Sequence, residues 1–306
     1  MIFKKVAVIG SNGFFGNHLV KRLLQIPGID LFLFGKNEHG LPSAGAQYKQ
    51  VDIADEESVK AYFSEIDLVY YLASGTIPAS SWENPLMEIE RNLVPFLKFM
   101  EVISKLEVKK VVFTSSAGTI YGAAEQKAKE DSFKNPFSPH GIIKLTMEYF
   151  FNYFKSKYNI NFDVYRISNV YGPDQNTKKG LGIINTFIEK IVKEHKIQIF
   201  GNGQNVRNYI YVKDLAELLT LSLFSDPGKS EIFNLSSNDT LTINEMVKIL
   251  KSVIAEPFEI IYTETRGSDN PVIYLDNTRI LHAYPGFKFT SIEDGILETY
   301  RYIKSS

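Results

Sequence analysis

Val6-Ala7-Val8-Ile9-Gly10-Ser11-Asn12-Gly13-Phe14-Phe15-Gly16 places three glycines between an apolar run and a helix-like stretch. The apolar run reads as a strand buried on both faces, as the strands of parallel sheets are. Gly10 permits a tight turn, Gly13 lets the backbone approach a pyrophosphate, and Gly16 lets the helix sit close on the strand. Free N–H groups and positive potential at the helix N-terminus suit an anion. The segment therefore reads as a dinucleotide-binding turn, with Asn12, Phe14 and Phe15 beside the ligand.

The alternation begun there continues through the first half of the chain. A helix is predicted over 17–25, strands over 31–34 and 48–51, a helix over 56–63 and a strand over 68–72. Ile89, Leu93, Phe96 or Leu97, Met100 and Ile103 recur every three or four residues, which predicts one long amphipathic helix over 83–106. A strand over 111–114 follows, then a second long helix after Pro139. Its stripe of Ile143, Met147, Phe150, Phe151, Phe154 and Tyr158 is wider than one sheet contact requires. The outer sides of these two helices either meet a second subunit, giving a four-helix homodimer interface, or serve the core alone.

After a strand over 162–167 the pattern breaks at Gly172-Pro173 and a polar, Gly-rich stretch over 174–182. A helix over 213–224 follows, and a short strand over 231–235 is expected to rejoin the main sheet. The expected fold is α/β: a Rossmann-type doubly wound parallel sheet from 1–172 with 204–237, and a smaller C-terminal α+β substrate-binding cap from 173–203 with 238–306.

With 306 residues the chain is long enough for both parts. Lys and Arg number 34 against 35 Asp and Glu, without blocks of one sign, which argues against nucleic acid or a membrane surface as partner. The sequence has no cysteine, and its five histidines lack metal-ligand spacing. Disulfides, cysteine nucleophiles and a metal site are therefore not expected. The chain opens without a targeting pattern, and no apolar run approaches the roughly 20 residues of a membrane span. The expected location is the cytoplasm.

An acidic residue roughly twenty positions beyond such a turn usually holds the adenosine ribose. Here the second strand ends Phe34-Gly35-Lys36-Asn37 and supplies none. Lys36 either meets a 2′-phosphate, favouring NADP, or is a solvated surface lysine. NAD is the expected cofactor, with NADP open.

On these residues and several later runs the chain resembles the NAD-dependent epimerase/dehydratase family, the extended short-chain dehydrogenases that act on sugar nucleotides. The resemblance spans nearly the whole chain. Gly10-x-x-Gly13-x-x-Gly16 has the extended-class spacing. Val51-Asp52-Ile53 resembles the adenine-contacting segment, Leu72-Ala73-Ser74 the segment under the cofactor, and Asn92 the asparagine of the helix that follows. Arg166-Ile167-Ser168-Asn169-Val170-Tyr171-Gly172-Pro173 is similar to the family's RxxNVYGP run. On the substrate side, Arg207 resembles the arginine that grips a nucleotide diphosphate, Arg266 and Asp269 a later RxxD, and Asn169 the diphosphate asparagine. Guanidinium and amide donors suit a diphosphate.

The resemblance also implies a Ser or Thr, a Tyr and a Lys acting together, with the phenol exchanging a proton with a sugar hydroxyl. The matching run is Ser138-Pro139-His140-Gly141-Ile142-Ile143-Lys144. Lysine is present; His140 stands in place of tyrosine. Imidazole is the commonest proton-transfer group in enzymes, yet a proton on it beside Lys144 and an oxidised nicotinamide would set like charges at close range. His140 as acid/base, a site that binds without turnover, and a neighbouring tyrosine or water as substitute are all open. The run Thr114-Ser115-Ser116-Ala117-Gly118-Thr119-Ile120-Tyr121-Gly122 leaves Ser116 and Thr119 as alternative hydroxyl partners, Ser116 preferred.

By resemblance the expected activity is 4-epimerisation of a UDP-linked hexose by transient oxidation at C4. Ala117-Gly118 offers no acid pair after the active hydroxyl, which disfavours a dehydratase. A keto-sugar-nucleotide reductase using NADP and a non-catalytic sugar-nucleotide-binding relative are the alternatives.

Overall fold

The computed structural model describes residues 3–38, 40, 45–76, 78–122, 126–177, 182–264 and 274–306, the side chains of 78–80 aside. In chain order its strands are β1 (Lys5–Ile9), β2 (Asp30–Gly35), β3 (Ala46–Gln50), β4 (Leu68–Tyr71), β5 (Lys110–Ser116), β6 (Asn161–Ile167), β7 (Asn169–Tyr171), β8 (Lys196–Phe200), β9 (Val206–Tyr211), β10 (Glu231–Leu235), β11 (Thr240–Thr242) and β12 (Glu259–Thr263). The helices used below are α1 (Phe14–Leu23), α2 (Glu56–Phe63), α3 (Pro78–Glu83), α4 (Pro85–Glu88), α5 (Val94–Ile103), α6 (Ala117–Ile120), α7 (Pro139–Tyr158), α8 (Ile183–Glu194), α9 (Val212–Leu219), α10 (Ile243–Val253), α11 (Thr278–Ala283) and α12 (Ile292–Ser305).

Packing divides the chain into two compact units. The first comprises 1–120, 136–166 and 216–233, and the second 121–135, 167–215 and 234–306. These units are drawn elsewhere than the functional boundaries expected from the sequence, which put 121–135, 167–172, 204–215 and 234–237 with the nucleotide-binding part.

The first unit is built on a seven-stranded sheet ordered β10-β6-β5-β4-β1-β2-β3. The pairings β1–β2, β2–β3, β1–β4 and β4–β5 are parallel. β1 is buried after its first residue and β4 throughout, as helices on both faces require. Winding runs from β1 outward to β3 in one direction and through β4 to β10 in the other. A crevice therefore opens at the C-terminal ends of β1 and β4, where such sheets bind ligands. Ile9, Phe34, Val59, Phe63, Phe99, Phe113, Phe151 and Val164 belong to one core under these helices.

Local signals explain the helix boundaries. Asp55 caps α2 by accepting from Ser58 N at 2.9 Å, and Ser138 caps α7 by accepting from Gly141 N at 3.1 Å, with Pro139 in the first turn. Asn159, at φ 58°, closes α7 in the left-handed region. α1 begins three residues before the predicted 17, directly on the glycine turn, because the amphipathic pattern starts only after Gly16 whereas the backbone turns helical at Phe14.

The single helix expected over 83–106 is three pieces: α4, a π turn at Ile89–Leu93, and α5. Pro95, in the first turn of α5, has no N–H to donate to the preceding turn, and the π turn shifts the register ahead of it. The helix expected over 213–224 is likewise α9 followed by a 3₁₀ turn at Thr220–Leu223.

In the second unit β11, β9 and β7 form one small sheet and β12 pairs parallel with β8. Thr242 and Glu245 form a capping box at the start of α10. Asp214 holds the chain before α12 by accepting from the backbone N and hydroxyl of Thr290, each at 2.8 Å.

Candidate active site

The glycine turn is a cradle whose three glycines have three different reasons. Gly10 sits at φ +87°, and a Cβ there would lie 3.0 Å from Ala73 N and 3.2 Å from Leu72 C. The turn is thus pressed against Leu72-Ala73-Ser74, whose Leu72 N bonds to Ile9 O at 3.0 Å. At Gly16 a Cβ would stand 2.2 Å from Gly10 O and 2.8 Å from Ser11 Cα, so only glycine lets α1 start there. Gly13 meets only Gly10 O, at 3.2 Å.

Gly13 caps α1 without a side-chain bond, and the first turn of α1 carries no acid. The hydroxyl of Ser11 is buried without a hydrogen-bond partner. A helix N-terminus uncapped by side chains and free of negative charge, reached over a Gly13 that carries no side chain, fits a pyrophosphate. Asn12, Phe14 and Phe15 border this turn, and Phe14 and Phe15 contact each other at 5.5 Å between ring centres.

The missing acid at the end of β2 has a steric counterpart. Tyr48, on β3, puts its hydroxyl 2.8 Å from where a Gly35 Cβ would be, donates to Asn37 O at 2.8 Å and accepts from Asn12 Nδ2 at 3.4 Å. A phenol therefore fills the space that a side chain at 35 would use. Lys36 is exposed, and its carbonyl accepts from Gln50 Nε2.

Asp52 is exposed and accepts from Ala54 N at 3.0 Å, while Ile53 is a core residue. Asn92 spends its whole amide on its surroundings: Oδ1 accepts from Gly75 N at 2.7 Å, and Nδ2 donates to Thr76 Oγ1 at 2.6 Å and to Glu88 Oε2 at 2.7 Å. It clamps the segment after Ser74 to the helix across from it. Ser74 itself donates to Thr76 O at 3.0 Å.

His140 and Lys144 stand one turn apart on α7, and both are buried. Lys144 Nζ donates to Thr114 O at 3.0 Å at the end of β5. Burial lowers its ammonium to about 8, against the opposing pull of the Glu88 and Glu148 carboxylates. His140 Nδ1 lies 3.4 Å from Glu88 Oε1. Burial works to raise the Glu88 carboxyl, but its contacts with His140, Thr76 and Asn92 hold it below the usual carboxylate range. Glu88 was not legible as a site residue, because nothing in its sequence neighbourhood distinguishes it from a surface acid.

Ser116 ends β5 half-buried. Thr119, on α6, has a hydroxyl sealed from solvent and without a partner. α7 lies close on α6, since a Cβ at Gly141 would fall 2.3 Å from Thr119 O. Behind these residues Ser115 Oγ donates to Glu148 Oε1 at 2.5 Å, and the Arg166 guanidinium donates to Glu148 Oε2 at 2.7 Å. The structure thus brings the glycine turn, Leu72-Ala73-Ser74, Asn92, Ser116, Thr119, His140 and Lys144 into the first unit.

In the second unit Asn169 and Arg207 lie on adjacent strands, where β7 pairs with β9 in parallel. Asn169 Nδ2 donates to Asn208 O at 3.0 Å, and Arg207 donates to Val206 O at 2.7 Å. Arg266 and Asp269 lie outside the described residues. No cluster of metal-ligating side chains occurs among the described residues, and none of their helices is long and apolar enough to cross a membrane.

Comparison with known proteins adds to this geometry. A family model described as the NAD dependent epimerase/dehydratase family matches residues 6–236. A putative UDP-glucose 4-epimerase of Methanocaldococcus jannaschii is 30% identical over 277 residues, 89% of each chain. The UDP-glucose 4-epimerase of Thermotoga maritima, solved with UDP-glucose, superposes with a TM-score of 0.90 at 29% identity, covering 98% of this chain and 99% of that one. The enzyme of that name from Thermus thermophilus, solved with NAD, gives 0.88 at 26% identity, covering 99% of each.

Proposed function

This chain belongs to the NAD-dependent epimerase/dehydratase family, and from that membership we propose that it is an NAD-dependent enzyme inverting C4 of a UDP-linked hexose. The observation that carries the reading is the placement, within one unit, of a pyrophosphate-fitting glycine turn and the His140–Lys144 pair on α7. Gly10, Gly13 and Gly16 would hold the NAD pyrophosphate, and Lys144 the nicotinamide ribose.

Bound there, the nicotinamide supplies a reversible hydride acceptor for sugar C4. His140 takes the proton from the C4 hydroxyl as that carbon is oxidised and returns it to the oxygen of the 4-keto sugar after the ring has turned over. Ser116 is the hydroxyl that steadies the reacting oxygen, since Thr119 Oγ1 is shut away from solvent. Lys144, buried and lowered to about 8, holds the ribose. Asn169 and Arg207, with Arg266 and Asp269, are proposed for the nucleotide diphosphate. The cytoplasm is the proposed location, and a homodimer through the outer sides of α5 and α7 the proposed assembly.

Incubation with UDP-glucose and catalytic NAD, followed by NMR of the C4 proton, tests the reading. Appearance of the 4-epimer without net NADH supports it. No inversion, or stoichiometric consumption of NADPH by a 4-keto sugar, contradicts it.

A further inference from the structure

Replacing a phenol by an imidazole raises a difficulty that Lys144 alone does not remove. When the C4 hydroxyl gives up its proton, an imidazole becomes a cation, beside a lysine and a positively charged nicotinamide. Such a base is weakened unless a negative charge stands close to it. An imidazole also has two nitrogens, and only the one without a proton can act as base. Something must fix which one that is.

Among the described residues, one side chain is placed to do both. Glu88, at the end of α4 and 1% exposed, directs Oε1 toward His140 Nδ1 at 3.4 Å. Both facing atoms are buried without a hydrogen-bond partner among the described residues, and each is the other's nearest complement. The other carboxylate oxygen, Oε2, is held by Asn92 Nδ2 at 2.7 Å. Asn92 is fixed in turn by Thr76 and Gly75, so the carboxylate cannot swing away. A carboxylate accepts only, which requires Nδ1 to carry the proton and leaves Nε2 as the free base. Hydrogen bonds at catalytic groups are often long in the unliganded protein and tighten in the complex.

We propose that Glu88 is the positioning residue for His140, setting the Nδ1–H tautomer and neutralising the imidazolium formed when His140 Nε2 takes the C4 hydroxyl proton. The proton balance is simple. O4–H breaks, Nε2–H forms, and the reverse transfer restores both after hydride returns to C4. Glu88 keeps its charge throughout. This deepens the epimerase reading and rests on it.

Glu88→Gln is nearly isosteric and reverses the logic. Asn92 offers an N–H, so the Gln oxygen turns to it and the Gln NH₂ faces His140. Nδ1 must then accept, and the ring proton moves to Nε2, the nitrogen needed as base. The direct readout is the pair of imidazole ¹⁵N shifts of His140 in the intact protein with NAD, assigned by their loss in His140→Phe. The unmodified protein should show a protonated Nδ1 and a bare Nε2. Glu88→Gln should exchange them and lower kcat about 10²-fold or more, with KM changed less than about threefold, since an orienting partner of this kind acts through the tautomer.

A protonated Nε2 in the unmodified protein overturns the proposal without any variant. So does Glu88→Gln with unchanged nitrogen shifts or nearly full kcat. The shifts are read without turnover. A protein that shows the expected tautomer but inverts no sugar therefore removes the epimerase reading and leaves the pairing standing.

Discussion

Lys144 reaches back from α7 to the end of β5, where its Nζ donates to the Thr114 carbonyl at 3.0 Å and stands 4.7 Å from the centre of the Phe113 ring. That position costs it solvation, and the consequence is a definite pH dependence. In the folded protein the ammonium is lowered from 10.5 to about 8. Between those values the unfolded chain binds a proton that the folded chain has released, so stability rises with pH across the window. Relative to Lys144→Met, the unmodified protein without cofactor should gain on the order of 1–2 kcal/mol between about pH 7.5 and 9.5. Urea midpoints at the two values check this; parallel trends in both proteins would contradict it.

The glycine turn separates folding from binding. Gly16→Ala forces a methyl against Gly10 O and the Ser11 backbone, and should destabilise the protein by about 1–3 kcal/mol as overpacking does. Gly13→Ala meets only Gly10 O at 3.2 Å. It should cost less than about 1 kcal/mol of stability while weakening NAD by at least about tenfold, or 1.4 kcal/mol. Thermal melts with and without NAD distinguish the two.

Glu148 is the anion between Ser115 and Arg166, and all three are buried. Glu148→Gln leaves the Arg166 guanidinium against a neutral amide, and losing one partner of a buried pair should cost about 3–5 kcal/mol. Chemical denaturation measures it. The same substitution removes one of the charges that hold up the Lys144 ammonium, so a lower lysine midpoint should accompany the loss.

On the outer side of α7, Ile142, Tyr149 and Tyr153 are 47%, 62% and 46% exposed, and Ile89 and Val94 in the preceding helical run are each 41% exposed. Exposed apolar side chains of this kind suit a contact surface, which the proposed homodimer would use. Light scattering at micromolar concentration should give twice the mass of the chain, and Tyr149→Glu with Tyr153→Glu should give the single mass. A monomeric unmodified protein would contradict the dimer.

The sequence made the nucleotide-binding half readable because its signals are local. Glycine spacing, a buried β1 and Pro139 at the start of α7 each act within a few residues. The break of the predicted 83–106 helix into α4, a π turn and α5 was not legible, since Ile89, Leu93 and Met100 keep a helical period across it while Pro95 changes the backbone register beneath. Lys144 and His140 could be found from their run, whereas Glu88 could not. Its role comes from burial and from Asn92 and His140 converging on one carboxylate, which only the folded chain shows. Tyr48 filling the space at Gly35 is a contact between β2 and β3 that spacing does not reveal. Arg266 and Asp269, expected at the diphosphate, lie outside the described residues.

If His140 moves the proton in a C4 epimerase, its removal must show in the rate of inversion. The most direct measurement is C4 inversion of UDP-glucose with NAD, compared by NMR between the unmodified protein and His140→Phe at equal NAD occupancy. Steady inversion is expected from the first and a loss of about 10²–10⁴-fold in kcat from the second, the range for removing a general acid–base. Equal rates in the two proteins, or no inversion by the unmodified one, would contradict it.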